Sequence, residues 1–154
     1  MDKVSCLERQ GRQLLLLGIA LLLFSSVEGF AISSLASPRI GLSAHTLGAL
    51  QAVLFLAFGL LWPKLALAPT AARIAFWSFI YSALAILSAY IVAALWGVGI
   101  QTIGLAGELP HGLVQGTRFQ ETTIKVLAYS SAPTGLAAFV LVLWGLRTVE
   151  DGPV

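Results

Sequence analysis

IGLSAHTLGALQAVLFLAFGLLW, residues 40–62, carries no charged residue over 23 positions. At 1.5 Å of rise per residue, that run is long enough to cross the roughly 30 Å hydrocarbon layer of a bilayer. It is also uniformly apolar, where the helix of a soluble protein would turn a charged face to water. It carries a histidine, His45, and a glutamine, Gln51. Polar groups at membrane depth are costly and usually functional. Imidazole is the most versatile of them, able to serve as base, proton carrier or metal ligand. His45 is therefore expected at the reactive centre.

Outward from this stretch the pattern repeats. LLLLGIALLLF (14–24) lies in a first helix expected over about 13–32, and a third is expected over 72–96. A fourth, over 122–146, contains Pro133, where a kink is expected because the proline frees a backbone carbonyl. Residues 33–39 and 65–71 read as short links holding Pro38 and Pro69, and residues 1–12 as a polar lead. Residues 97–121, GVGIQTIGLAGELPHGLVQGTRFQE, read as a long polar loop of the kind that usually carries function. The expected fold is an all-α membrane protein, a four-transmembrane-helix bundle forming one integral membrane domain over 1–154.

A mean hydropathy of +0.90 excludes an ordinary soluble globule. A dispersed net charge of +2 gives no basic patch for nucleic acid. The single cysteine, Cys6, excludes a disulfide framework, a CxxC pair and a CxxCH haem attachment. No phosphate-binding loop, nucleophile elbow, HExxH or dinucleotide fingerprint is present. Lys3, Arg9 and Arg12 before the first apolar run outline a signal peptide. No clean A-x-A site follows Ser33, however, and the first run is read as a retained helix.

Four spans put both termini on one side. Lys3, Arg9, Arg12, Lys64, Arg73 and Arg147 lie there, against Arg39, Arg118 and Lys125 opposite. The positive-inside rule then places both termini in the cytoplasm and the chain in the cytoplasmic membrane. Trp62 and Lys64 read as an interfacial anchor pair. Glu28, His45, Tyr90, Gln120 and Glu121 fall at similar depth in the outer half, near the long loop, with Gln51 about two turns deeper. Each has a plainer reading. His45 would bond a neighbouring helix, Glu28 would pair with Arg39 or reach the interface, and Tyr90 would sit in an aromatic belt. His111 would be a solvated turn residue. Ala44, Gly48 and Ala52, like Ala85, Ala89 and Ala93, form small-residue ridges that let helices approach closely. Polar residues are too few for a carboxylate-rich metal site, and one imidazole does not hold zinc tightly. Haem needs only one proximal side chain.

SPRIGLSAH (37–45), FWSFIYS (76–82), LPHGLVQGTRFQETTIKVLAYSS (109–131) and LVLWGLR (141–147) resemble the hydroxylaminobenzene mutase family over about residues 12–147. That family is distantly similar to styrene oxide isomerase, a trimeric four-helix membrane protein that binds haem b. The resemblance implies a membrane isomerase or mutase of small aromatic compounds, converting an arylhydroxylamine to an aminophenol with haem iron as Lewis acid. It implies His45 as the haem ligand, and Tyr90 and Gln51 as the groups facing substrate. It also implies a homo-oligomer, as a trimer. The alternatives are an epoxide isomerase and a non-enzymatic small membrane protein. The family pattern has an acidic residue two positions after the histidine, an asparagine four further on, and a His-Gly in helix one. This chain has Leu47, Gln51 and Leu17–Gly18.

Overall fold

The computed structural model describes residues 3–104 and 116–147. These form α1 (Lys3–Ala31), α2 (Pro38–Leu61), α3 (Pro69–Trp96) and α4 (Arg118–Arg147). Each of the four is long and apolar enough to cross a membrane. The expectation of an all-α, four-helix membrane fold is met. α1 packs along α2 and α3 along α4, and contacts between α2 and α3 join the two hairpins. Leu23, Phe30, Trp77, Leu136 and Trp144 point outward from these helices and are exposed. Water would penalise so much apolar surface, and lipid accepts it.

Small residues set how close the helices come. A Cβ on Gly11 would stand 2.8 Å from the Gly59 carbonyl oxygen, and one on Gly59 would stand 3.0 Å from that of Gly11. Further along the same seam Gly18 meets Ala52 and Leu56, Gly48 meets Ser25, and Gly29 meets His45. Lipid tails are as apolar as the helix faces, so this close contact must supply the attraction by dispersion. Both expected ridges are buried, Ala44–Gly48–Ala52 on α2 and Ala85–Ala89–Ala93 on α3. Phe55, Phe58, Phe79 and Phe139 then tie α2, α3 and α4 together, with ring centroids 4.8–6.1 Å apart.

The helix ends differ from the sequence reading. α1 starts at Lys3, not near residue 13, so the expected polar lead is helical. Its Leu7 and Gln10 are buried, and Trp62 Nε1 donates to Gln10 Oε1 at 3.0 Å. Trp62 is thus a fully buried core residue rather than an interfacial anchor, because Gln10 gives its indole N–H an acceptor inside the bundle. Gln10→Ala is expected to leave that N–H unpaired and to cost about 1–3 kcal/mol. Thermal unfolding in detergent measures it, and Gln10→Glu, which keeps an acceptor, should cost less.

α2 and α3 begin at Pro38 and Pro69, slightly before the expected starts. Proline has no N–H to lose and a helical φ, so it opens these helices rather than interrupting the chain before them. α4 begins at Arg118 instead of 122 because Thr117 and Gln120 form a capping box. Thr117 N–H donates to Gln120 Oε1 at 2.9 Å, and Gln120 N–H donates to Thr117 Oγ1 at 3.3 Å. Of the expected loop, residues 97–104 fold back on the end of α3, with Gly97 at φ 67° closing that helix. His111 lies outside the described residues. α4 runs on through Pro133. Thr134 Oγ1 donates to the Ser130 and Ser131 carbonyls at 3.0 Å each, and Ser82 Oγ donates to Ser131 at 2.8 Å. Hydroxyls thus serve the turn where the proline has no donor.

Candidate active site

The Ser37 N–H donates to the Ala94 carbonyl at 3.0 Å, which fixes the entry to α2 against the end of α3. Two turns into α2, His45 turns toward α1. Its Nδ1 is 2.9 Å from the Ser25 carbonyl oxygen. A carbonyl can only accept, so Nδ1 carries a proton, and in the neutral imidazole this leaves Nε2 with its lone pair. Gly29 makes room for the ring, since a Cβ there would be 3.1 Å from Cε1. Among the described residues none engages Nε2, and the side chain is 34% exposed.

Glu28 is the second element of this site. Its Oε2 lies 3.3 Å from His45 Nδ1, and its side chain is only 12% exposed. Among the described residues Oε2 has no hydrogen-bond partner, because the Nδ1–H is taken by Ser25. The contact is therefore one of carboxyl with ring, without hydrogen-bond geometry. Glu28 thus contacts His45, where pairing with Arg39 was expected. Ser25, Glu28 and Gly29 are spaced i, i+3, i+4, which puts all three on the α2-facing side of α1. That spacing in an apolar helix was the available signal for Ser25 and Gly29, which the sequence reading did not single out.

Tyr90 is elsewhere. It lines a groove of about 500 Å³ between α2 and α3 with Leu42, Ser43, Thr46, Leu47 and Leu50. At 100° per residue, the α2 side of this groove is turned roughly 130° from His45 around the helix. Within one chain the two are on different flanks of α2. Gln51 is half-buried and stands outside the lining of the groove. Glu121 is buried at the start of α4, where its Oε1 accepts the Gly99 N–H at 3.0 Å. Gln120 serves the helix cap. Of the five groups expected at one depth, only Glu28 and His45 are in contact, and the last two shape the loop end.

Among the described residues no three His, Cys, Asp or Glu side chains come together to hold a metal ion. A single, partly exposed imidazole whose Nδ1 is already bonded fits a prosthetic group that brings its own equatorial ligands, as haem does. Exposed Phe30 and Leu42, at the end of α1 and the start of α2, offer such a group apolar surface.

A family model described as styrene oxide isomerase matches residues 10–147, nearly all of the helical region. The chain belongs to the styrene oxide isomerase family. It is 39% identical over 137 residues to hydroxylaminobenzene mutase HabB of Ectopseudomonas oleovorans, covering 89% of this chain and 81% of that protein. It is 33% identical over 130 residues to hydroxylaminobenzene mutase HabA of the same organism, covering 84% and 93%. No solved structure matches the chain. The expected resemblance and the expected isomerase or mutase class of enzyme both hold, and the non-enzymatic alternative falls away.

Proposed function

We propose that this protein is a membrane-bound mutase that rearranges an arylhydroxylamine to an aminophenol and holds haem b through His45. The observation that carries the reading is the imidazole, with Nδ1 committed to the Ser25 carbonyl and Nε2 free. Two relatives named hydroxylaminobenzene mutase support the substrate class. Haem, when bound, supplies a Lewis-acidic ferric iron. The chain supplies the rest. The groove beside Tyr90 has the size of a small-molecule site, within the range of roughly 300–1,000 Å³. Its leucines exclude water, while the Tyr90 hydroxyl donates to the oxygen that moves from nitrogen to the ring; the Ser43 and Thr46 hydroxyls, which donate to the Arg39 and Leu42 carbonyls, are left to accept from the substrate. Gln51, one turn beyond Leu47, is assigned to the deep end. The product has the formula of the substrate, so no external oxidant is required.

Because His45 and the groove occupy different flanks of α2, we assign the complete site to a homo-oligomer. One copy's groove meets the His45 flank of the next, an arrangement that closes as a ring and is assigned as a trimer. The charge asymmetry assigns the chain to the cytoplasmic membrane with both termini cytoplasmic.

The test is direct. Detergent-purified protein expressed with ample haem should show a Soret band. Its membranes should convert hydroxylaminobenzene to 2-aminophenol. Conversion of styrene oxide to an aldehyde instead would favour the epoxide isomerase reading, which the family model's description supports. Turnover of neither would reject both. Tyr90→Phe should lower kcat by on the order of 100-fold, the cost of losing one oriented donor, with the Soret band unchanged.

A further inference from the structure

We propose that Glu28 is a positioning residue that acts through His45, holding its ring and enriching it in electrons so that a bound haem stays ferric. The proposal rests on the haem reading above and extends it to the opposite side of the imidazole. Three observations on α1 carry it. The Ser25 carbonyl fixes the proton on Nδ1 at 2.9 Å. Glu28 Oε2 stands 3.3 Å from the same nitrogen, with no other partner in the described residues. Its side chain also borders an apolar crevice between α1 and α3, walled by Phe24, Val27, Leu35, Ile91 and Leu95.

The physical consequence follows from the surroundings. A carboxylate that is only 12% exposed and borders an apolar crevice is screened less than one in water, so its field at the ring is stronger than at a solvated surface. A negative charge beside Nδ1 stabilises positive charge across the ring and beyond Nε2. Outer-shell groups of this kind fix ligand orientation, raise ligand basicity and typically account for about 10–100-fold in affinity for the bound metal. A ligand made more basic favours ferric over ferrous iron. Ferric iron is the better Lewis acid, and an isomerisation without net electron transfer has no use for reduction. The proposal gives a role to a costly carboxylate that, among the described residues, meets the His45 ring and no lysine or arginine.

The experiment compares wild type, Glu28→Gln and Glu28→Asp as purified full-length holoprotein, by haem content and spectroelectrochemical titration. Glu28→Gln keeps shape and removes charge. It should shift the ferric–ferrous equilibrium about tenfold toward ferrous, an upward move of about 59 mV for one electron. Glu28→Asp should stay near wild type. Loss of haem from Glu28→Gln with retention in Glu28→Asp supports the proposal equally, since charge separates the two. An unmoved potential with full haem in Glu28→Gln overturns it and leaves His45 as ligand standing. Loss of haem from both variants also overturns it, marking a packing role. A colourless wild type overturns this proposal and the haem reading together.

Discussion

His45→Ala protein is expected to insert, fold and purify as a four-helix protein that has lost its Soret band and its mutase activity. The magnitudes separate these outcomes. The bond from Nδ1 to the Ser25 carbonyl is one neutral hydrogen bond, and such bonds between membrane helices average about 0.6 kcal/mol. The rest of the α1–α2 seam, from Gly11 to Gly48, contains no part of the imidazole. A small local loss is therefore set against a long contact, and the fold survives. The proposed haem binding has no such reserve, because His45 is the one histidine among the described residues and Cys6 lies near the far end of α1. Absorption spectra and circular dichroism on one sample measure both quantities. A folded His45→Ala protein that keeps its Soret band would remove His45 from the cofactor. A protein that fails to insert would make the histidine structural.

Pattern made the four helices legible, since uncharged runs of hydrocarbon length have few other stable fates. The two ridges on α2 and α3 were legible for a similar reason, as small residues every fourth position stack on one side of a helix. The ends were harder. Arg9 and Arg12 read as solvent, yet Leu7, Gly11 and Leu14 continue the apolar stripe backward, and Gln10 has a buried partner in Trp62. Thr117–Gln120 was a readable cap that the glycine-rich surroundings obscured. At the site, depth along the membrane followed from counting residues, but rotation about the helix did not. His45 and Tyr90 share a depth and still occupy different flanks of α2. Rotation depends on which neighbour a helix meets, and Gly29 and Gly48 settle that only once α1 is in place. Glu28 shows the same limit. Its spacing from Ser25 was visible, and its turn toward the imidazole required the partner helix.

Gly11→Val is expected to lower stability substantially while sparing the chemistry at the other end of the bundle. The site is a crossing of two backbones. A Cβ on Gly11 falls 2.8 Å from the Gly59 carbonyl oxygen, 3.2 Å from Pro63 Cδ and 3.3 Å from Trp62 Cβ. A flexible side chain moves aside cheaply, but a helix carbonyl and a proline ring do not. Replacing glycine by valine in a helix gains only a few tenths of a kcal/mol in propensity, whereas overpacking a tight contact costs about 1–3 kcal/mol or more. The clash wins. It should also strain the Trp62–Gln10 hydrogen bond one residue away, adding to the loss. Ser25 is 14 residues further along α1, roughly 21 Å at the helical rise. Haem content of the protein that survives purification should therefore be normal. Gly48→Ile provides the contrast, because its side chain would push on Ser25 beside the imidazole and should cost both stability and haem. Gly104→Ala, where a Cβ meets none of the described residues, should change neither. Thermal unfolding in detergent, read with the Soret band, orders the three. If Gly11→Val matched wild type in stability, close glycine contact would not be what joins α1 to α2.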